Sequence, residues 1–178
     1  VGIAALPISW PIVAGALLGL SVSVSLWWIY FDVTARMAER ALAEAPDEER
    51  PRLARDAFSY LHLPLIAGVV LLALGLKKVL EYVGDTEGHM LTDPLTGVGL
   101  FALIGGVVLY LVGHVAFKVR TQQVLYWPRL VAAGALVALV PLGAMVPALV
   151  MLAVVAAVLG LLVAYETHHH AELRHRIR

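Results

Sequence analysis

The sequence predicts an all-α, polytopic membrane helical bundle, and three observations carry that prediction. Hydrophobic residues make up 61% of the 178-residue chain, and charged residues only 15%, against about 25% in an ordinary soluble domain. The Asp, Glu, Lys and Arg residues gather in clusters that leave long uncharged stretches between them. Those stretches, at 1–31, 57–76, 95–117 and 130–165, meet or exceed the roughly 20 apolar residues a helix needs to cross a bilayer core of about 30 Å. In lipid only helices or closed barrels satisfy the backbone, and unbroken apolar runs without two-residue alternation choose helices. A soluble globular domain is excluded.

The first expected span covers about 8–32. No charge precedes Asp32, and a secretory signal needs both a basic leader and a small-residue cleavage site, neither of which appears, so nothing reads as a removable targeting peptide. The chain starts with Val, and the simplest account makes it the C-terminal part of a longer multi-pass protein. TARMAERALAEA, rich in helix formers, runs straight on from this span until Pro46 and Asp47 break it, and Pro51 suits the first turn of the next helix. A cytoplasmic helical hairpin at 33–56 is therefore expected to project from the membrane, with PDEERP at its tip.

The second and third spans fall at about 57–77 and 95–118. The last apolar run is too long for one crossing: at 1.5 Å per residue, 130–165 would extend about 54 Å. Pro141 and Pro147 bracket LGAMV at its middle, which predicts two tightly connected spans at about 128–143 and 147–166, followed by a basic, His-rich tail at 167–178. With five spans, Arg36, Arg40, Arg50, Arg52, Arg55, Lys118, Arg120, Arg129, Arg174, Arg176 and Arg178 share one side, and only Lys77 and Lys78 the other. The excess of basic residues places the C-terminus in the cytoplasm and Val1 outside. Aromatic residues, which favour interfaces, agree: Trp27, Trp28, Tyr30, Tyr60, Tyr126, Trp127 and Tyr165 fall near the cytoplasmic boundary, and Trp10 and Tyr82 near the outer one.

Three blocks, SLWWIYFD at 25–32, YLHLPLIAG at 60–68 and YLVGHVAFKVR at 110–120, resemble in order and spacing the C-terminal half of the bacterial low temperature requirement A family. The resemblance implies a multi-pass protein of the bacterial inner membrane, linked to growth in the cold, with further helices ahead of this region. It supplies no catalytic residues, substrate or cofactor.

Ionisable side chains inside spans are costly and are functional candidates by default. Asp32, His62 and His114 all fall in the cytoplasmic third of the membrane and could meet. Pro64 cannot donate to the carbonyl of Tyr60, which leaves an acceptor beside His62, and Tyr110 lies one turn before His114. Such a group suits a proton or ion pathway, since histidine titrates near neutrality. It also suits a partial divalent-metal site or a two-histidine haem site, or simple polar packing in which Asp32 pairs with Arg36. No cofactor is predicted outright.

Gly15 and Gly19 in span one, and Gly99, Gly106 and Gly113 at seven-residue intervals in span three, predict close helix approach and a central third span. Ser21 and Ser25 suit bonds across an interface or to carbonyls four residues back. In the tail, His168, His169, His170 and His175 lack the spacing of a zinc motif, and Arg174, Arg176 and Arg178 read as anchors for anionic headgroups. The balanced charge, 13 basic against 13 acidic residues, leaves no excess for nucleic acid. No phosphate loop, nucleophile elbow or dinucleotide fingerprint is present, and zero Cys excludes disulfides and thiolate chemistry. The expected partners are the bilayer, an N-terminal half and other membrane subunits. The expected activity is transport of a small solute, ion or proton. A non-catalytic subunit packing through its glycines and a metal- or haem-binding enzyme are the alternatives.

Overall fold

A computed structural model of the chain describes residues 9–85 and 87–169. Its described residues form helices and connections with no strand; an isolated bridge pairs Pro94 with Pro147. The calls on Arg174, Arg176 and Arg178 lie outside the described residues.

Helix α1 (Trp10–Phe31) begins with Pro11 in its first turn and ends at Asp32, whose backbone N–H donates to Trp28 O. A two-residue turn separates it from α2 (Thr34–Glu44), so the expected straight continuation is broken there. Helix α2 stops at Ala45, whose backbone is extended, as a residue before proline must be. After the tip, α3 (Arg50–Arg55) carries Pro51 in its first turn. The Arg50 side chain closes the hairpin: it pairs with Asp47 at 2.9 Å and donates to Ala45 O at the end of α2. The hairpin does not project freely. Ala38, Leu53 and Ala57 bury themselves against Phe117, with Leu42 and Phe58 alongside, and Arg120 reaches Asp56 at 3.2 Å. The apolar stripe of α2 has no other place to leave water.

A five-residue π-helical turn (Asp56–Tyr60) leads into α4 (His62–Gly84), with Leu61 N–H donating back to Asp56 O. Helix α5 (Gly97–Gln122) starts at a glycine with φ +56° and ends at Gln123, which caps it with φ 55°. Four helical stretches, Trp10–Glu44, Arg50–Gly84, Gly97–Gln122 and Ala148–His169, are long and apolar enough to cross a membrane.

Between them the predicted fourth span is broken into α6 (Trp127–Ala138) and the single turn α7 (Val140–Gly143). Pro141 has no N–H for the carbonyl of Val137 and crowds it, which forces the break one turn earlier than the connection at 144–146. The pieces still run the length of the bundle. Arg129 near the start of α6 meets Glu166 near the end of α8 (Ala148–His169), while Ala148 N–H donates to Asp93 O at the opposite end.

Helix α5 forms the centre, with Leu103, Leu111 and Phe117 fully enclosed. Its glycine seam faces α4. A Cβ added at Gly106 would lie 2.8 Å from Gly68 O, and one at Gly113 would lie 3.1 Å from Pro64. Gly68 and Gly75 of α4 supply the complementary flat surface: a Cβ at Gly68 would lie 2.7 Å from Gly106 O, and one at Gly75 would strike the Leu103 backbone. Gly99 abuts Leu95 and Lys78, whereas Gly15 and Gly19 receive Leu80 and Leu76 of α4. These stripes therefore pack inside the chain's own bundle. Ser25 and Ser23 satisfy their hydroxyls against Ser21 O and Gly19 O.

Candidate functional site: a polar cluster at the shared end of five helices

The C-terminal ends of α1, α5 and α8 and the N-terminal ends of α4 and α6 gather at one end of the bundle. Their leading polar side chains are Tyr30, His114, Glu166, His62 and Arg129, in that order. The Arg129 guanidinium grips the Glu166 carboxylate with two bonds, Nε to Oε1 and Nη2 to Oε2, both 2.7 Å. Its Nη1 approaches His114 Nδ1, and its Nη2 lies 3.4 Å from Ile29 O. All three side chains are buried, His114 completely. An isolated buried charge would be costly, and bidentate pairing with further hydrogen bonds is the geometry that offsets that cost.

Beside this group, His62 Nδ1 lies 3.1 Å from Ala57 O, and Tyr30 Oη lies 2.9 Å from His62 Nε2. A neutral ring donating from Nδ1 to the carbonyl accepts the phenol proton at Nε2. The acceptor for His62 is thus Ala57 O in the π-helical turn, not the carbonyl of Tyr60 that Pro64 leaves unused. Tyr30 stands edge-on between the two imidazoles, its ring 5.8 Å from each, and Phe117 packs under all three. Tyr110 donates to Leu26 O at 2.8 Å and ties α5 to α1. Lys118 lies over the Tyr126 ring at 4.3 Å and Arg129 over the same ring at 5.2 Å, as cations over an aromatic face do. Burial pushes the Tyr126 phenol up to about 12, with the Glu166 carboxylate adding to the rise and Arg129 opposing it.

Of the residues singled out from sequence, His62, His114 and Tyr110 come together here. Asp32 sits just beyond, as the half-buried cap of α1, and Tyr60 faces outward, 59% exposed. The two imidazoles do not converge on a shared centre, because Tyr30 separates them and both nitrogens of His62 are engaged. No group of three or more His, Cys, Asp or Glu among the described residues could hold a metal ion.

Sequence reasoning missed Tyr30, Arg129 and Glu166 as site residues. The signal for the last pair was present: Glu166 is the one carboxylate between Asp93 and Glu172, and a hairpin of spans four and five brings it level with Arg129.

An apolar cavity of about 580 Å³ opens beside the cluster between α1 and α4, with Tyr110 of α5 at its back.

Long apolar helices closed around a buried guanidinium–carboxylate–imidazole group define a multi-pass membrane protein. Residues 1–164 match the family described as bacterial low temperature requirement A protein (LtrA), and the chain belongs to that family. An uncharacterised protein of Rhizobium meliloti (strain 1021) is 33% identical over 107 residues, which is 58% of this chain and 23% of that protein. No solved structure matches the chain.

Proposed function

We propose that this protein moves a proton, small ion or small solute across the bacterial cytoplasmic membrane, and that the five-helix polar cluster is its working site. One observation carries the reading: five separate helices each bring a polar or titratable side chain to one end of the bundle, with Arg129, Glu166 and His114 buried and Tyr30 and His62 half-buried beside them, where membrane proteins place such groups for ion and proton pathways. The excess of basic residues on the cluster's side supports a cytoplasmic position for the cluster.

The chemistry follows from the Arg129–Glu166 pair. A proton arriving on Glu166 cancels the one counter-charge bonded to Arg129 among the described residues, and breaking a buried pair costs about 3–5 kcal/mol. That is enough to shift a two-state packing of α6 against α8 by roughly two to four orders of magnitude. His62 and Tyr30 form a hydrogen-bonded donor–acceptor pair at the edge of the cavity and give the proton a route in. Tyr30 bridges the space to His114.

The test is flux into proteoliposomes holding a pH-sensitive dye, driven by a pH gradient, using the full-length protein. Wild type should acidify the lumen, and His62→Ala and His114→Ala should lose most of that flux. Equal flux in all three would sink the reading.

A further inference from the structure

The cavity between α1 and α4 is walled by Leu26, Trp27, Leu65, Ile66, Val69 and Val70, and its volume falls within the roughly 300–1,000 Å³ of ligand pockets. It faces sideways into the bilayer: Trp27 is 56%, Ile66 59% and Val70 63% exposed. Its depth from His62 to Leu72, at 1.5 Å per residue, is about 15 Å, half of a hydrocarbon core of about 30 Å. It is therefore one leaflet deep. Beyond it α1 and α4 close, since Gly19 receives Leu76 and Gly15 receives Leu80. A second transmembrane helix, about 10 Å across and running the full thickness, does not fit an opening that ends at mid-membrane. A single hydrocarbon chain does.

The polar wall defines the head group. Three hydroxyls border the cavity, and each already spends its proton: Ser23 on Gly19 O, Tyr110 on Leu26 O and Tyr30 on His62 Nε2. They have only lone pairs left to offer, so the cavity favours a head group that donates and disfavours a carboxylate. The aromatic pair Trp27–Phe31, 5.4 Å apart, marks the interfacial depth at which such a head sits.

We infer that this cavity binds one single-chain amphiphile, its hydroxyl-bearing head donating to Tyr30 Oη and its tail running along α4 toward Leu72. The inference stands apart from the transport reading, because binding is measured without flux.

The experiment uses the full-length protein in nanodiscs and a monoacylglycerol carrying a diazirine near the end of its acyl chain. After photolysis, peptide mass spectrometry should find adducts concentrated at Val69 and Val70, displaced by unlabelled monooleoylglycerol but not by oleate at pH 8. Ile66→Trp, a change at an exposed rim position that leaves the core intact, should abolish them. Tyr30→Phe should weaken competition by monooleoylglycerol about fivefold, the effect of one lost hydrogen bond. Adducts spread evenly over outward-facing residues such as Leu17 and Leu20, or competition by oleate as strong as by monooleoylglycerol, would overturn the assignment. So would Val69 and Val70 shielded from the probe in the wild type.

Discussion

Arg129 and Glu166 lie 37 residues apart in sequence and share two parallel 2.7 Å hydrogen bonds in a nearly dry site. The pair fixes the start of α6 to the end of α8 and, through His114, fixes both to the central α5. Apolar surface gives no preference between neighbours in lipid, because the tails are as apolar as leucine. A directional pair of charges supplies that preference.

Removing one partner should therefore cost more than removing both. Arg129→Ala or Glu166→Ala leaves an uncompensated charge inside the bundle, with an expected loss of about 3–5 kcal/mol, whereas Arg129→Leu combined with Glu166→Leu should recover most of it. Thermal unfolding of the purified protein in mild detergent checks both. Single variants no less stable than a surface-pair variant such as Arg55→Ala would mean that the pair is not structural.

The glycine seam makes a positional prediction. A Cβ at Gly106 would lie 2.8 Å from Gly68 O and 2.9 Å from Leu72 Cα, and backbone atoms cannot rotate away. Gly106→Ala should thus force α4 from α5, at about 1–3 kcal/mol for overpacking. Its neighbour Gly105 has nothing within 4 Å, so Gly105→Ala should be neutral or stabilising by up to about 1 kcal/mol through helix propensity. The melting temperature of Gly106→Ala should fall while that of Gly105→Ala holds or rises, and equal shifts would deny the seam its role.

The features set by local chemistry could be read from the sequence. Pro46 and Pro51 bracket a real hairpin, and the spacing of Gly99, Gly106 and Gly113 located the central helix. Gly68 and Gly75 repeat at the same interval in α4, but such a pair marks a seam only once the facing backbone, here that of Gly106 and Leu103, is known. What failed depended on three-dimensional neighbours. Arg129 counted as a boundary charge because its burial follows from the fold of α6 against α8. The π-helical turn at DAFSY is invisible in residues that all suit an α-helix, yet it carries the Ala57 carbonyl to His62. Asp32 drew attention by its charge, while the side chain between the two imidazoles is Tyr30, two residues earlier.

Tyr30→Phe separates function from stability. It removes the hydroxyl that bonds His62 Nε2 but keeps the ring between the imidazoles. The expected stability loss is about 1 kcal/mol. Proton flux in proteoliposomes should nevertheless fall close to the level of His62→Ala, since both variants break the same donor–acceptor link. Flux at the wild-type level in Tyr30→Phe would remove the phenol from the pathway.

The orientation can be decided with single cysteines, because the chain has none of its own. Glu48 sits exposed at the hairpin tip, on the end of the bundle where the polar cluster lies. Met90 is 74% exposed at the opposite end. If basic residues hold their side of the bilayer in the cytoplasm, a membrane-impermeant maleimide should label Glu48→Cys in inverted vesicles and not in intact spheroplasts. Met90→Cys should show the reverse. Labelling of both from one face would mean that the chain does not cross the membrane between them. The opposite pattern would turn the polar cluster and its cavity to the outer leaflet, and the proton would then enter the cluster from outside the cell.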